Sequence, residues 1–203
     1  QGESNTAQPQ EYANLLPAMI SSWRKNFDQK TLPFVYAQLP NFMEAKTQPA
    51  ESNWAVFRDM QTKTLSVPAT AMTVNIDLGD WNDVHPMNKK DVSHRLALAA
   101  QKVAYKDYNV VYSGPLYKSM KVKGNKVELS FSNTGSGLIA KDGKELRYFA
   151  IAGADKKFVW AKAEIKGNKV IVWCDELTSP VAVRYAWADN PAGANLYNME
   201  GLP

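Results

Sequence analysis

Two kinds of pattern follow one another in this chain, and the switch between them near Asp107 limits the folds it can adopt. Residues 1 to about 105 alternate helix-spaced stretches with short apolar runs. Leu16, Met19, Ile20, Trp23 and Phe27 recur at helical spacing. Asn14 is a candidate cap for this helix, and Pro17 is tolerable in a first turn whose N–H groups lack intrahelical partners. The run Phe34–Leu39 lies between Pro33 and Pro40 and suits a strand buried on both faces of a parallel sheet. Ser52 can cap a second helix carrying Trp54, Phe57, Met60 and Gln61, and Ala71–Asp77 is a second apolar strand. A third helix carries Val92, Leu96, Ala99, Ala100 and Val103 on one stripe.

This order predicts an α/β fold class, the C-terminal part of a doubly wound, flavodoxin-like sheet over residues 1–107. Two clear strands do not make a stable parallel sheet alone, so apolar edges at Phe34–Leu39 or Ala71–Ile76 are expected to meet a further segment or a second copy. Residues 108–203 change to short Val-, Ile-, Tyr- and Trp-rich strands separated by Gly, Asn and Pro turns, the pattern of an antiparallel β-sandwich domain. Met120–Leu129 and Ala163–Val172 each read as strand, Gly-Asn turn, strand, a hairpin signal given twice.

Composition removes several classes of function. With 203 residues and 45% hydrophobic content, the chain can bury a sizeable core. The net charge of +4 is spread over scattered lysines, with no basic run of the kind that nucleic-acid binders concentrate. No stretch reaches the roughly 18 apolar residues of a membrane span. Cys174 is the only cysteine and sits in an apolar strand, where a buried thiol is expected. Two histidines are too few for a zinc cluster, and there is no glycine-rich phosphate loop, so neither metal nor organic cofactor is indicated. The chain opens Gln1-Gly2-Glu3-Ser4-Asn5 without an initiator Met and reads as part of a longer protein.

The segment Asp80-Trp81-Asn82-Asp83-Val84-His85-Pro86 follows the second apolar strand. In open α/β sheets ligands bind outside the carboxyl ends of strands, which is where this loop falls. A histidine there can serve as general base, with a nearby carboxylate fixing its tautomer. A lone loop histidine is a weak signal by itself. His94, within the third helix, has a surface or packing role by default. Trp81, four residues before His85, can stack on a sugar or pack against the loop. Trp54, Trp160, Trp173 and Trp187 fit helix or strand periodicity and are expected in the core.

Taken together, several stretches resemble the sialate O-acetylesterase family of SGNH-type hydrolases. They include Gln1–Asn5, Met19-Ile20 with Trp23-Arg24, Leu32-Pro33-Phe34 with Gln38-Leu39, and Asn82–Pro86. Arg95–Leu98, Phe149–Lys156, Val183–Trp187 and Asn195–Asn198 with Glu200–Pro203 extend the likeness over essentially the whole chain. The resemblance implies a serine esterase that removes O-acetyl groups from sialic acid or a related sugar, exported to the periplasm or outside the cell. The nucleophile's Gly-Gln-Ser-Asn motif is absent from these residues and is expected upstream in the same protein, so the chain alone is expected to be inactive.

The resemblance assigns His85 as the catalytic base, and Gln1, Gly2 and Glu3 to the block that lines the site and polarises the carbonyl oxygen. Ser4 and Asn5 stand where the wider superfamily has Asn and Asp, which favours Gln1 as the side-chain donor. The superfamily's Asp, three residues before the histidine, is Asn82 here. Either Asp83 or a backbone carbonyl is then left to orient the imidazole. Two other readings remain open: an esterase acting on acetylated xylan or another polysaccharide, and a carbohydrate-binding or structural piece in which residues 108–203 matter.

Overall fold

The computed structural model describes residues 2–203. They form two compact units, one made by the chain up to Met43 together with Ser52–Ser113, the other by Glu44–Glu51 with Gly114–Pro203.

In the first unit, 3-10 turns at Glu3–Asn5 and Pro9–Glu11 lead into helix α1 (Tyr12–Asn26). The helix starts ahead of Asn14, so Asn14 is not its cap and Pro17 lies beyond the first turn. Lacking an N–H, Pro17 forgoes the bond that would run to the carbonyl four residues back. Strand β1 (Phe34–Ala37) follows, then α2 (Asn53–Lys63), a 3-10 turn at Thr64–Ser66, strand β2 (Thr70–Thr73) and α3 (Lys89–Val103). The capping expectation holds for α2, where the Ser52 side chain accepts from the Ala55 N–H at 2.9 Å.

β1 and β2 pair in parallel, Phe34 opposite Thr70 through Ala37 opposite Thr73. β2 is buried along its length, and α3 lies against both strands. α2 is fastened to the strand side by Gln61, whose Oε1 accepts from Leu39 N–H at 2.9 Å, while its carbonyl accepts from the Tyr36 hydroxyl at 2.9 Å. The strands are shorter than their apolar runs, and the runs' remaining residues do not expose apolar side chains: Leu39 and Ile76 are buried. Among the exposed apolar side chains of this unit is a stripe along α1 and just past its end. Leu16 and Ile20 are buried, but Leu15, Met19, Trp23 and Phe27, four residues apart, face water.

The second unit is antiparallel. Strands β3 (Leu116–Lys123), β4 (Lys126–Ser132), β8 (Lys162–Lys166) and β9 (Lys169–Trp173) form a sheet in the order β3-β4-β9-β8. β6 (Phe149–Ala152) lies between β10 (Ala182–Tyr185) and the short β7 (Val159–Trp160), and β5 (Leu138–Ala140) pairs with β11 (Leu196–Asn198). Both anticipated hairpins form, with Lys123 opposite Lys126 and Lys166 opposite Lys169. Gly124 and Gly167 sit at φ of 62° and 60°, at the first central position of a two-residue turn, where positive φ suits glycine.

Inward residues of all three sheets meet in one core: Val127 and Leu129, Val170 and Val172, Phe149 and Ile151, Leu138 and Leu196. Cys174 packs against it, half-buried rather than buried. Trp54 is in the core of the first unit as expected, but Trp160 is exposed and Trp173 and Trp187 are half-buried. Trp173 alternates with the buried Val172 and so points to the other side of its sheet, where Lys126 Nζ lies 4.4 Å from its ring.

Candidate active site

The loop that carries the histidine begins where β2 gives out. Asn75 is fully buried and donates from Nδ2 to Gln38 O at 3.3 Å, joining the chain beyond β2 to the chain beyond β1. The same two segments are stitched twice more. Gly79 N–H donates to Asn41 Oδ1 at 2.7 Å, and Met43 N–H donates to Trp81 O at 2.8 Å. At its far end the loop enters α3, whose cap Asn88 accepts from Asp91 N–H at 3.1 Å. Arg95, in the second turn of α3, returns to the start of the loop and binds the Asp77 carboxylate through both of its oxygens, at 2.6 and 2.8 Å. Both members of this ion pair are nearly buried. The residues were visible in the sequence, but nothing local announced that they would meet.

Within that frame, Asp83 Oδ1 accepts from the His85 backbone N–H at 2.8 Å and lies 3.2 Å from His85 Nδ1. The backbone hydrogen bond, reinforced by the ring, holds the Asp83 carboxyl below its usual range. The His85 side chain is 76% exposed, which presents the imidazole to solvent and to any group that approaches it. Trp81 is exposed in the same loop. Val84 turns inward, packing against the cluster of Leu39, Trp54 and Phe57. His94 is exposed on α3.

Phe57 also meets the opening turn of the chain. A Cβ built on Gly2, whose φ is +149°, would stand 2.2 Å from Phe57 Cζ and 2.8 Å from Tyr12 Cε2. Only glycine fits so close to these rings. The Gly2 turn and the His85 loop therefore lean on the same aromatic cluster, Gly2 directly and His85 through its neighbour Val84. The Gly2 N–H donates to Glu3 Oε2 at 2.9 Å, so in this arrangement it is engaged by a carboxylate. Gln1 lies outside the described residues.

This arrangement can do general acid–base chemistry. A carboxylate bonded to Nδ1 holds the imidazole with Nε2 as the remaining basic nitrogen.

Known proteins resemble the chain over nearly its whole length. A solved structure of a carbohydrate acetylesterase from Xanthomonas citri superposes with a TM-score of 0.95 at 46% identity, covering 100% of this chain and 47% of that one. The chain is 30% identical to sialate O-acetylesterase of Mus musculus over 217 residues, and 28% identical to that of Rattus norvegicus over 212 residues. Each alignment covers 94% of this chain and 39% of the relative, so the chain spans about two fifths of the length of these proteins. Residues 1–103, half of the chain, match the family model described as carbohydrate esterase, sialic acid-specific acetylesterase, and the chain belongs to that family.

Proposed function

We propose that these residues are the C-terminal part of a serine-type carbohydrate O-acetylesterase, with His85 as its general base and acid. The observation that carries this reading is the Asp83–His85 pair, exposed on the loop after β2 in a chain of a carbohydrate-esterase family. The strand–helix–strand unit fits one end of a doubly wound sheet, whose carboxyl edge is where such a loop belongs. The serine comes from a Gly-Gln-Ser-Asn stretch elsewhere in the same protein, in keeping with a chain that spans 39% of its mouse relative.

With the Nδ1 proton directed at Asp83, Nε2 takes the serine proton as the hydroxyl oxygen attacks the acetyl carbonyl carbon. Collapse of the tetrahedral intermediate breaks the bond between acetyl carbon and sugar oxygen. The proton held on Nε2 passes to that oxygen. Water then attacks the acetyl-serine by the same route, releasing acetate and returning the proton to serine. Gln1 and the Gly2 N–H are the donors for the developing oxyanion, Gly2 leaving Glu3 when substrate is present. A donor of this kind is worth about 3–4 kcal/mol. Trp81 offers an indole against which a sugar ring can stack. Export to the periplasm or outside the cell accompanies this reading.

The identity is higher with the Xanthomonas carbohydrate acetylesterase than with the animal sialate esterases, which favours keeping a second substrate in view. Coexpression of these residues with a segment bearing Gly-Gln-Ser-Asn is expected to give hydrolysis of an aryl acetate. Acetate release from O-acetylated sialic acid and from acetylated xylan then separates the two substrate classes. A reassembled, folded protein that hydrolyses no acetyl ester overturns the proposal.

A further inference from the structure

The antiparallel unit contains a cavity of about 340 Å³ that the acetyl-transfer chemistry does not use. That volume falls at the lower end of small-ligand sites, which run from roughly 300 to 1,000 Å³. Leu146 and Phe149, both buried, contribute the unit's core to its lining, together with Lys46, Thr47, Arg147, Tyr148 and Trp160.

Its two accessible rings are held in place rather than left to swing. Tyr148 and Trp160 meet edge to face, with centroids 5.5 Å apart and planes at 72°. Trp160 Nε1–H donates to Thr47 O at 2.8 Å, which fixes an indole that remains 36% exposed. Tyr148 takes φ of +63°, a left-handed backbone that a bulky residue rarely adopts. The conformation is imposed by its surroundings: Ala186 N–H donates to Tyr148 O at 3.0 Å, and Arg147 N–H donates to Asn195 Oδ1 at 3.0 Å. Gly193 leaves room for the ring, since a Cβ there would stand 2.7 Å from Tyr148 Cε2. Strained backbone held by its surroundings in this way is found at ligand clamps, where it presents a side chain in one fixed direction.

The polar rim sets the chemistry. Arg147 donates Nη2–H to Asp142 Oδ2 at 2.8 Å and Nε–H to Gly193 O at 3.0 Å, which locks its plane and leaves further N–H donors on the same fork. Lys46 Nζ lies 3.7 Å from Asp189 Oδ2. Each cation therefore carries its own carboxylate. A site with balanced charge gives no net attraction to an acidic ligand, while its fixed donors and acceptors suit hydroxyl groups beside an aromatic ring.

The geometry points to this cavity as a binding site for a neutral pyranose unit of a glycan, stacked on Trp160 or Tyr148 and hydrogen-bonded by Arg147 and Lys46. The choice of a sugar rests on the carbohydrate-esterase reading, whereas the site itself uses none of the residues of the His85 loop. It favours neutral glycan stretches over carboxylated sugars such as sialic acid.

The test titrates the full-length protein with xylohexaose, cellohexaose and mannohexaose, with sialyllactose as the acidic comparison. The indole N–H signal of Trp160 is followed by NMR and assigned by its loss in Trp160→Phe, and affinity is measured by calorimetry. At least one neutral hexasaccharide is expected to shift that signal. Its Kd is expected to rise at least tenfold in Trp160→Ala and several-fold in Lys46→Ala, an exposed residue whose change cannot unfold the core. His85→Ala is expected to bind as tightly as wild type while losing ester hydrolysis, which separates failure of this site from failure of the esterase reading. The inference is overturned if no neutral hexasaccharide moves the Trp160 signal, if affinity survives Trp160→Ala and Lys46→Ala unchanged, or if sialyllactose binds more tightly than every neutral probe.

Discussion

Arg95 grips Asp77 through two parallel hydrogen bonds, Nη1 to Oδ1 at 2.6 Å and Nη2 to Oδ2 at 2.8 Å, and Nη1 also donates to Val74 O at 2.7 Å. The pair closes the base of the loop that presents His85, because Asp77 precedes that loop and Arg95 belongs to the helix after it. Removing one partner leaves the other charged and nearly buried, which costs about 3–5 kcal/mol. Arg95→Met is expected to lower the unfolding free energy by that amount, seen as a lower denaturation midpoint, and to reduce esterase kcat in the fraction that remains folded. Chemical denaturation checks the first effect. An unchanged midpoint contradicts the role given to the pair.

Gly2 tests whether the opening turn matters to the site. Its positive φ and the 2.2 Å approach to Phe57 leave no room for a methyl group. Gly2→Ala must displace the turn. Misplacing a catalytic donor by about 1 Å can cost about a hundredfold in rate. The expected result is a fall of that order in kcat for aryl acetate, compared at equal folded fraction. Equal kcat in the two proteins removes Gly2 from the site.

The antiparallel unit should weaken in acid for an identifiable reason. Lys123 and Lys169 hold the Glu128 carboxyl down to about 2, and Asn195 with Arg147 does the same for Asp142, also to about 2. In the unfolded chain these groups take up protons at their ordinary values of 4.5 and 3.8. The folded state therefore keeps the full benefit above those values and loses it as pH falls toward about 2. Melting curves recorded from pH 7 to pH 2 should drop through this window, and Glu128→Gln should start lower at pH 7 and drop less. A variant curve parallel to that of the parent contradicts the assignment.

A smaller effect is expected at the start of α2. Ser52→Ala removes the acceptor of the Ala55 N–H and should cost about 1 kcal/mol, read as a shifted denaturation midpoint.

What could be read in advance was local. The Ser52 cap and the Gly124-Asn125 and Gly167-Asn168 turns depend on residues a few positions apart, and each formed where the pattern placed it. The histidine loop after an apolar strand was legible for the same reason, as was the chance that Asp83 reaches the ring. Periodicity did not say which half of the α1 stripe is covered: Leu16 and Ile20 are, while Met19, Trp23 and Phe27 are not. Alternation placed Trp160 in a strand but not on which side, and it proved exposed. Asp77 with Arg95, and Gly79 with Asn41, join residues 18 and 38 positions apart, and no local preference encodes such pairings.

The proposed esterase chemistry needs His85 to move the proton and Asp83 to orient it. The direct measurement is kcat for an aryl acetate in the full-length protein, compared among the parent, His85→Ala and Asp83→Asn at equal folded fraction. His85→Ala is expected to fall to background. Asp83→Asn, which disturbs the Nδ1 partner while leaving its shape, should lose about a hundredfold or more, by analogy with triads whose carboxylate is neutralised. Undiminished hydrolysis by the His85→Ala protein contradicts the account.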